Sequence, residues 1–96
     1  MAIGKAIKTV LDKKNMTQLQ LAEITGISQT SLSLLINDIT SPRKITIKKI
    51  AKALKISPNV LYMLSIERED VPAKNRPVYD TIWGGLETTL TNLFLG

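Results

Sequence analysis

The sequence predicts an all-α fold, with five short helices and an additional C-terminal helix. Apolar residues recur at three- and four-residue intervals, and Ser or Thr caps alternate with Asn, Gly and Pro stops at the ends of those periods. A chain of 96 residues is sized for one domain, and 44% apolar content with only 22% charged is enough to bury a core.

Ile3, Ile7, Val10 and Leu11 define an amphipathic helix over residues 2–14. Lys5, Lys8 and Lys13 lie off its apolar stripe, and Asn15 ends it. Thr17 caps a second helix of two turns, running from Gln18 through Leu21 to Ile24 and stopped by Gly26. Ser28 caps a third over 29–37, in which Leu32, Leu35 and Ile36 share a face; Asn37-Asp38 and Ser41-Pro42 break it. Thr46 opens a fourth helix, with Ile47, Ile50, Ala51 and Leu54 inward and Lys48, Lys49, Lys52 and Lys55 outward. Ser57-Pro58, a cap followed by a first-turn proline, starts a fifth that runs to about residue 65 through Val60, Leu61 and Leu64.

Residues 67–77 hold a charge cluster and two prolines and read as a linker. Beyond it, Asp80 is expected to cap a sixth helix carrying Ile82, Trp83, Leu86, Leu90, Leu93 and Phe94. Gly84-Gly85 in that stretch implies either a later helix start or a close helix contact.

Charge divides the chain. Residues 1–66 carry ten basic groups and three acids (Asp12, Glu23, Asp38), a net of +7, whereas 67–96 carry three against five, a net of −2. A basic first domain suits a polyanion, because each phosphate neutralised releases condensed counterions. The chain has no Cys and no His, which removes disulfides, the usual zinc, copper and haem sites, nucleophilic Cys and the Ser-His-Asp triad. No carboxylate pair is placed for acid–base work, so neither an enzyme nor a cofactor is expected. No apolar run reaches the length of a membrane helix and lysines occupy the first 16 residues, so a cytoplasmic protein is expected, without a membrane partner.

Two short helices joined by a Gly turn, with a basic flank, form an arrangement in which the second helix can enter a DNA major groove. The residues Thr17-Gln18-x-x-Leu21-Ala22-x-x-x-Gly26-Ile27-Ser28-Gln29-x-x-Leu32-Ser33, then Leu35 and Asn37, and later Ile47-x-x-Ile50-Ala51-Lys52-Ala53-Leu54 with Ser57, closely resemble the phage repressor and Cro (XRE) family of DNA-binding proteins. The resemblance spans about residues 5–64. It implies a five-helix, repressor-like DNA-binding domain over 1–66, with its helix-turn-helix at about 17–37. Ala22 and Gly26 allow its two helices to cross closely.

In the family, an amide at the start of the third helix reads a base edge, and that position is Gln29, preceded by Ser28. Gln18 matches the amide that contacts a phosphate and braces its partner. Thr30 and Ser33 are next in line for base or phosphate contacts, Asn37 matches a phosphate-binding position, and Arg43 and Lys44, expected in the following loop, would clamp the backbone. Four features depart from the pattern. No Arg or Lys lies between Gly26 and Pro42, which removes the Arg-to-guanine contact and points to A·T pairs. Leu34 stands on the groove side, where it would meet a thymine methyl, and Asp38 replaces the usual Gly. Leu19, usually polar, has no evident purpose.

Residues 78–96 are too apolar to be solvated and need a partner surface: a second copy, the chain's own first domain, or another protein. The function expected is a sequence-specific transcriptional regulator, a repressor bound to operator DNA as a dimer. The alternative is an antitoxin-type DNA-binding protein whose tail covers a partner protein.

Overall fold

The computed structural model describes residues 1–96 and contains helices, 3₁₀ turns and connections but no strand. Five helices build the first domain: α1 (Ile3–Lys13), α2 (Gln18–Thr25), α3 (Gln29–Ile36), α4 (Lys44–Leu54) and α5 (Pro58–Leu64). Ile7, Leu21, Leu32, Ile50, Leu54 and Leu61 are fully buried, so each helix contributes at least one side chain to a single core. Each such burial is worth about 1.5–3 kcal/mol. α1 packs on α3 and α5, α2 on α3 and α4, and α4 on α5.

The ends of these helices follow local chemistry. Ser57 caps α5 by accepting from the Asn59 amide, and Pro58 stands in the first turn. Asn15 and Lys55, just past α1 and α4, take left-handed backbone conformations with φ of 52° and 58°.

The start of α4 differs from the expectation. The helix begins at Lys44, not Thr46, with Arg43 as its extended N-cap residue and no side-chain cap. Pro42 holds the chain extended up to that point, and Lys44 therefore stands in the first helical turn, not in the loop.

The C-terminal part also departs. Residues 67–77 are not irregular: 3₁₀ turns form at Arg68–Asp70 and Ala73–Asn75, and α6 (Arg76–Leu95) starts four residues before Asp80. Pro77, which read as a breaker, fits the first turn of α6, where its missing N–H is not needed. Asp80 does not cap the helix; its carboxylate accepts two hydrogen bonds from Arg68, at 2.8 and 3.2 Å. The later start is not observed, since the helix runs straight through Gly84 and Gly85, and within the chain a Cβ on either would meet nothing within 4 Å.

The junction between α5 and α6 is fastened by exposed ion pairs. The Met1 ammonium lies 2.9 Å from Asp70 and 3.5 Å from Glu67, and the Ala2 amide donates to the Ser65 carbonyl. The hydrogen bond to Asp70 holds the amine above its ordinary range. The Glu67 amide first, then the ammonium, hold the Asp70 carboxyl below its own.

α6 packs on the two 3₁₀ turns, where Asp80 meets Arg68, and reaches the first domain near its C-terminal end. Thr91 is buried and Leu95 packs on the core cluster. Leu19 stays half exposed. Most of the apolar stripe faces outward: Val78, Ile82, Leu86, Leu93 and Phe94 are exposed, and Tyr79 stacks on Trp83 with ring centroids 5.5 Å apart.

Candidate nucleic-acid interface

Thr17 opens α2 through a reciprocal capping box. Its hydroxyl accepts from the Gln20 amide at 3.1 Å, and the Gln20 side-chain oxygen accepts from the Thr17 amide at 2.8 Å. Gln20 thus carries the structural role in this turn. The Thr-x-x-Gln pattern signals it in the sequence, although only Thr17 is expected to cap this helix. With the box closed by Gln20, the exposed amide of Gln18 is free to face outward.

The turn between the helices is set by Gly26, whose left-handed φ of 73° an L-residue would adopt only with strain. Its amide donates to the Ala22 carbonyl at 2.9 Å. Buried Thr25 stiffens the corner, donating to the Leu21 carbonyl at 2.7 Å and accepting from the Ile27 amide at 3.3 Å.

Ser28 caps α3. Its oxygen accepts from the Ser31 amide at 3.1 Å and its hydroxyl donates to the Ser31 hydroxyl at 2.9 Å, so its polar capacity is largely spent inside the chain. Beyond the cap, Leu32, Leu35 and Ile36 are buried, while Gln29, Thr30 and Leu34 are exposed and Ser33 is half-buried. At the far end the Asn37 amide donates to the Ser33 carbonyl at 2.9 Å, closing the last turn and leaving its own oxygen outward. The exposed face of α3 therefore offers one free amide at its start, a hydroxyl and methyl at Thr30, and an aliphatic side chain at Leu34. It carries no charge.

Arg43 and Lys44 are exposed at the N-terminus of α4. No side chain caps that end, so its free amides, the positive end of the helix dipole and two cations converge on one place. The only acid near the end of α3 is Asp38, and its carboxylate is turned away. It accepts from the Gly4 amide at 2.8 Å and the Lys5 amide at 3.3 Å. Asp38 thus supplies the cap that α1 lacks locally, since Ala2 offers no side-chain bond there. Its left-handed φ of 57° is the conformation for which a Gly would otherwise stand. Gly4 lies against the same corner, where a Cβ would collide with the carbonyl oxygens of Leu35 and Ile36. Sequence reasoning passed over Gly4, because the atoms that exclude a side chain come from a helix more than 30 residues later.

A glycine turn joining two short helices, the second presenting an uncharged polar face beside a basic, uncapped helix end, defines a helix-turn-helix DNA-binding protein. Residues 7–61 match the helix-turn-helix family model, and the chain belongs to that family as an XRE-type member. The match runs from α1 into α5 and leaves α6 outside it. The family is one of DNA-binding proteins and not of enzymes. No curated protein and no solved structure matches the chain. No helix is long and apolar enough to cross a membrane.

Proposed function

We propose that this DNA-binding regulator is sequence-specific, a repressor that occupies operator DNA as a dimer with α3 of each copy in the major groove. One observation carries the reading: Gln29 and Thr30 stand exposed at the start of α3 while the structural bonds of the motif are made by Gln20, Thr25 and Ser28. Gln29 pairs with the N6/N7 edge of adenine, braced by Gln18, which also reaches a phosphate. Thr30, Ser33 and Leu34 line the groove and favour thymine methyls. Asn37, Arg43 and Lys44 hold phosphates and set the register, while the Ser28 side chain is committed to capping α3. Without Arg or Lys on α3, the site read is rich in A·T pairs.

One helix of eight residues discriminates too few bases to pick a site alone, and two copies reading half-sites about one turn apart meet that need. The exposed stripe of α6 is the surface that holds them together. The same stripe favours a second reading, an antitoxin whose tail covers a toxin, in which a small partner protein co-purifies through α6.

The test is selection of bound duplexes from a random library, followed by binding of the selected and random duplexes across a salt series with the mass of each complex recorded. Enrichment of an A·T-rich, two-fold site bound by two chains is expected. Equal, steeply salt-dependent affinity for both duplexes would overturn sequence-specific reading.

A further inference from the structure

The apolar stripe of α6 is a mirror image of itself about Leu86. Val78, Tyr79 and Ile82 stand eight, seven and four residues before it, and Leu90, Leu93 and Phe94 stand four, seven and eight residues after it. Only Trp83, whose counterpart is Thr89, breaks the symmetry. The stripe is open to solvent, with Val78, Ile82, Leu86, Leu93 and Phe94 exposed by 58, 52, 41, 71 and 47%. Its two ends differ in shape. The N-terminal half has a groove of about 330 Å³ walled by Val71, Val78, Ile82, Trp83 and Leu86, whereas the C-terminal half projects Leu93 and Phe94.

We infer that two copies of this chain pair through α6 in antiparallel orientation about a two-fold axis at Leu86, each groove receiving Leu93 and Phe94 of the other copy. The inference rests on the dimeric reading above and adds its geometry. In this register Val78 meets Phe94, Tyr79 meets Leu93, Ile82 meets Leu90 and Leu86 meets itself, so the stripe closes on itself in one isologous contact. A parallel pair would set groove against groove and Phe94 against Phe94, leaving both grooves empty, and would align the helix dipoles unfavourably.

Charge permits the approach. From Pro77 to Gly96 the only charged side chains are Asp80, held by Arg68 at 2.8 Å, and Glu87, which accepts the Trp83 indole N–H at 2.9 Å. Five half-exposed large side chains supply on the order of 400 Å² per copy, already as much as the largest patch on an ordinary monomer. The groove walls bring this toward the roughly 800 Å² per partner of a stable interface. An unrelated partner would require neither the symmetric spacing nor the matched ends.

The chain has no cysteine, so single substitutions give unambiguous cross-links. Sedimentation of the full chain at tens of micromolar is expected to show a dimer. Under mild oxidation Leu86→Cys is expected to cross-link to itself. Val78→Cys and Phe94→Cys are expected to cross-link to each other in a mixture and neither to itself, because two residues 78 would lie about 24 Å apart along the paired helices. A dimer in which Val78→Cys and Phe94→Cys each cross-link only to themselves would overturn the antiparallel register and leave the dimer standing. A monomer without cross-links would overturn the dimer as well. Neither outcome depends on DNA, so reading of a base sequence stands or falls separately.

Discussion

Asp38 bonds two amides of α1 from a left-handed backbone position, so its two contributions can be separated by substitution. Asp38→Gly keeps the backbone conformation and loses the cap, and is expected to cost about 1 kcal/mol in urea unfolding. Asp38→Ala loses both and is expected to cost about 1 kcal/mol more. Gly4→Ala, which forces a Cβ against the Leu35 and Ile36 carbonyls, should destabilise by roughly 1–3 kcal/mol because backbone must move. On the DNA side, Gln29→Ala is expected to cost about 1–3 kcal/mol on a selected duplex and little on random duplex, relaxing specificity at one base pair. Lys44→Gln should instead weaken both duplexes alike and lower the salt slope by about one. Equal loss on both duplexes from the Gln29 change would remove that residue from the reading role. At this scale the sequence shows which residues are unusual but not always why. Asp38 is visible as a departure from the family pattern, yet its partners are 33 and 34 residues away and no local rule points to them.

Among the elements, α1, α2, α3 and α5 are legible to within a residue or two, because their apolar periods and their capping or stop residues agree. The starts of α4 and α6 are not, and the reasons differ. Thr46 and Asp80 are plausible caps by residue type, but the helices start before them: α4 begins two residues after Pro42, and Pro77 is itself accommodated in the first turn of α6. Asp80 is drawn instead to Arg68, a partner only the folded chain supplies. Gly84 and Gly85 sit mid-helix with open space around them, so Gly84→Ala and Gly85→Ala should each stabilise α6 by about 0.5–1 kcal/mol, read as slower amide exchange in that helix. The junction before α6 should depend on pH at both ends of the scale. Because the Asp70 carboxyl is held low, its contribution is complete above the ordinary carboxylate range and is lost as pH falls through the lowered value. Because the Met1 ammonium is held high, its contribution is complete below the ordinary amine range and is lost as pH rises through the raised value. An NMR titration following the Glu67 and Ala2 amides would show both transitions; shifts flat across the whole range would refute the clamp.

For the whole molecule, the proposed reading and pairing surfaces lie in different parts of the chain: the family match covers the helix-turn-helix domain, and α6 lies beyond it. Leu86→Asp, which places a charge where the two copies would meet, is expected to give a folded monomer. That monomer should retain random-duplex binding and lose at least tenfold in affinity for a selected two-fold duplex, as measured by titration with the mass of the complex recorded. A monomeric variant that binds the selected duplex as tightly as the parent would show that a single copy does the reading.

None of the lysines in the first domain takes part in an ion pair; every ion pair of the molecule lies at the α5–α6 junction. α3 has no charged side chain, whereas α4 with its caps carries six basic groups, Arg43, Lys44, Lys48, Lys49, Lys52 and Lys55, with no acid among them. The acids Glu67, Glu69, Asp70, Asp80 and Glu87 gather at the opposite end of the sequence. The molecule is therefore an electric dipole as well as a monopole, and the field of a duplex exerts a torque on it before any contact forms. Its arrival at DNA is oriented in flight, and dilute salt should quicken that arrival more than its net charge of +5 alone would.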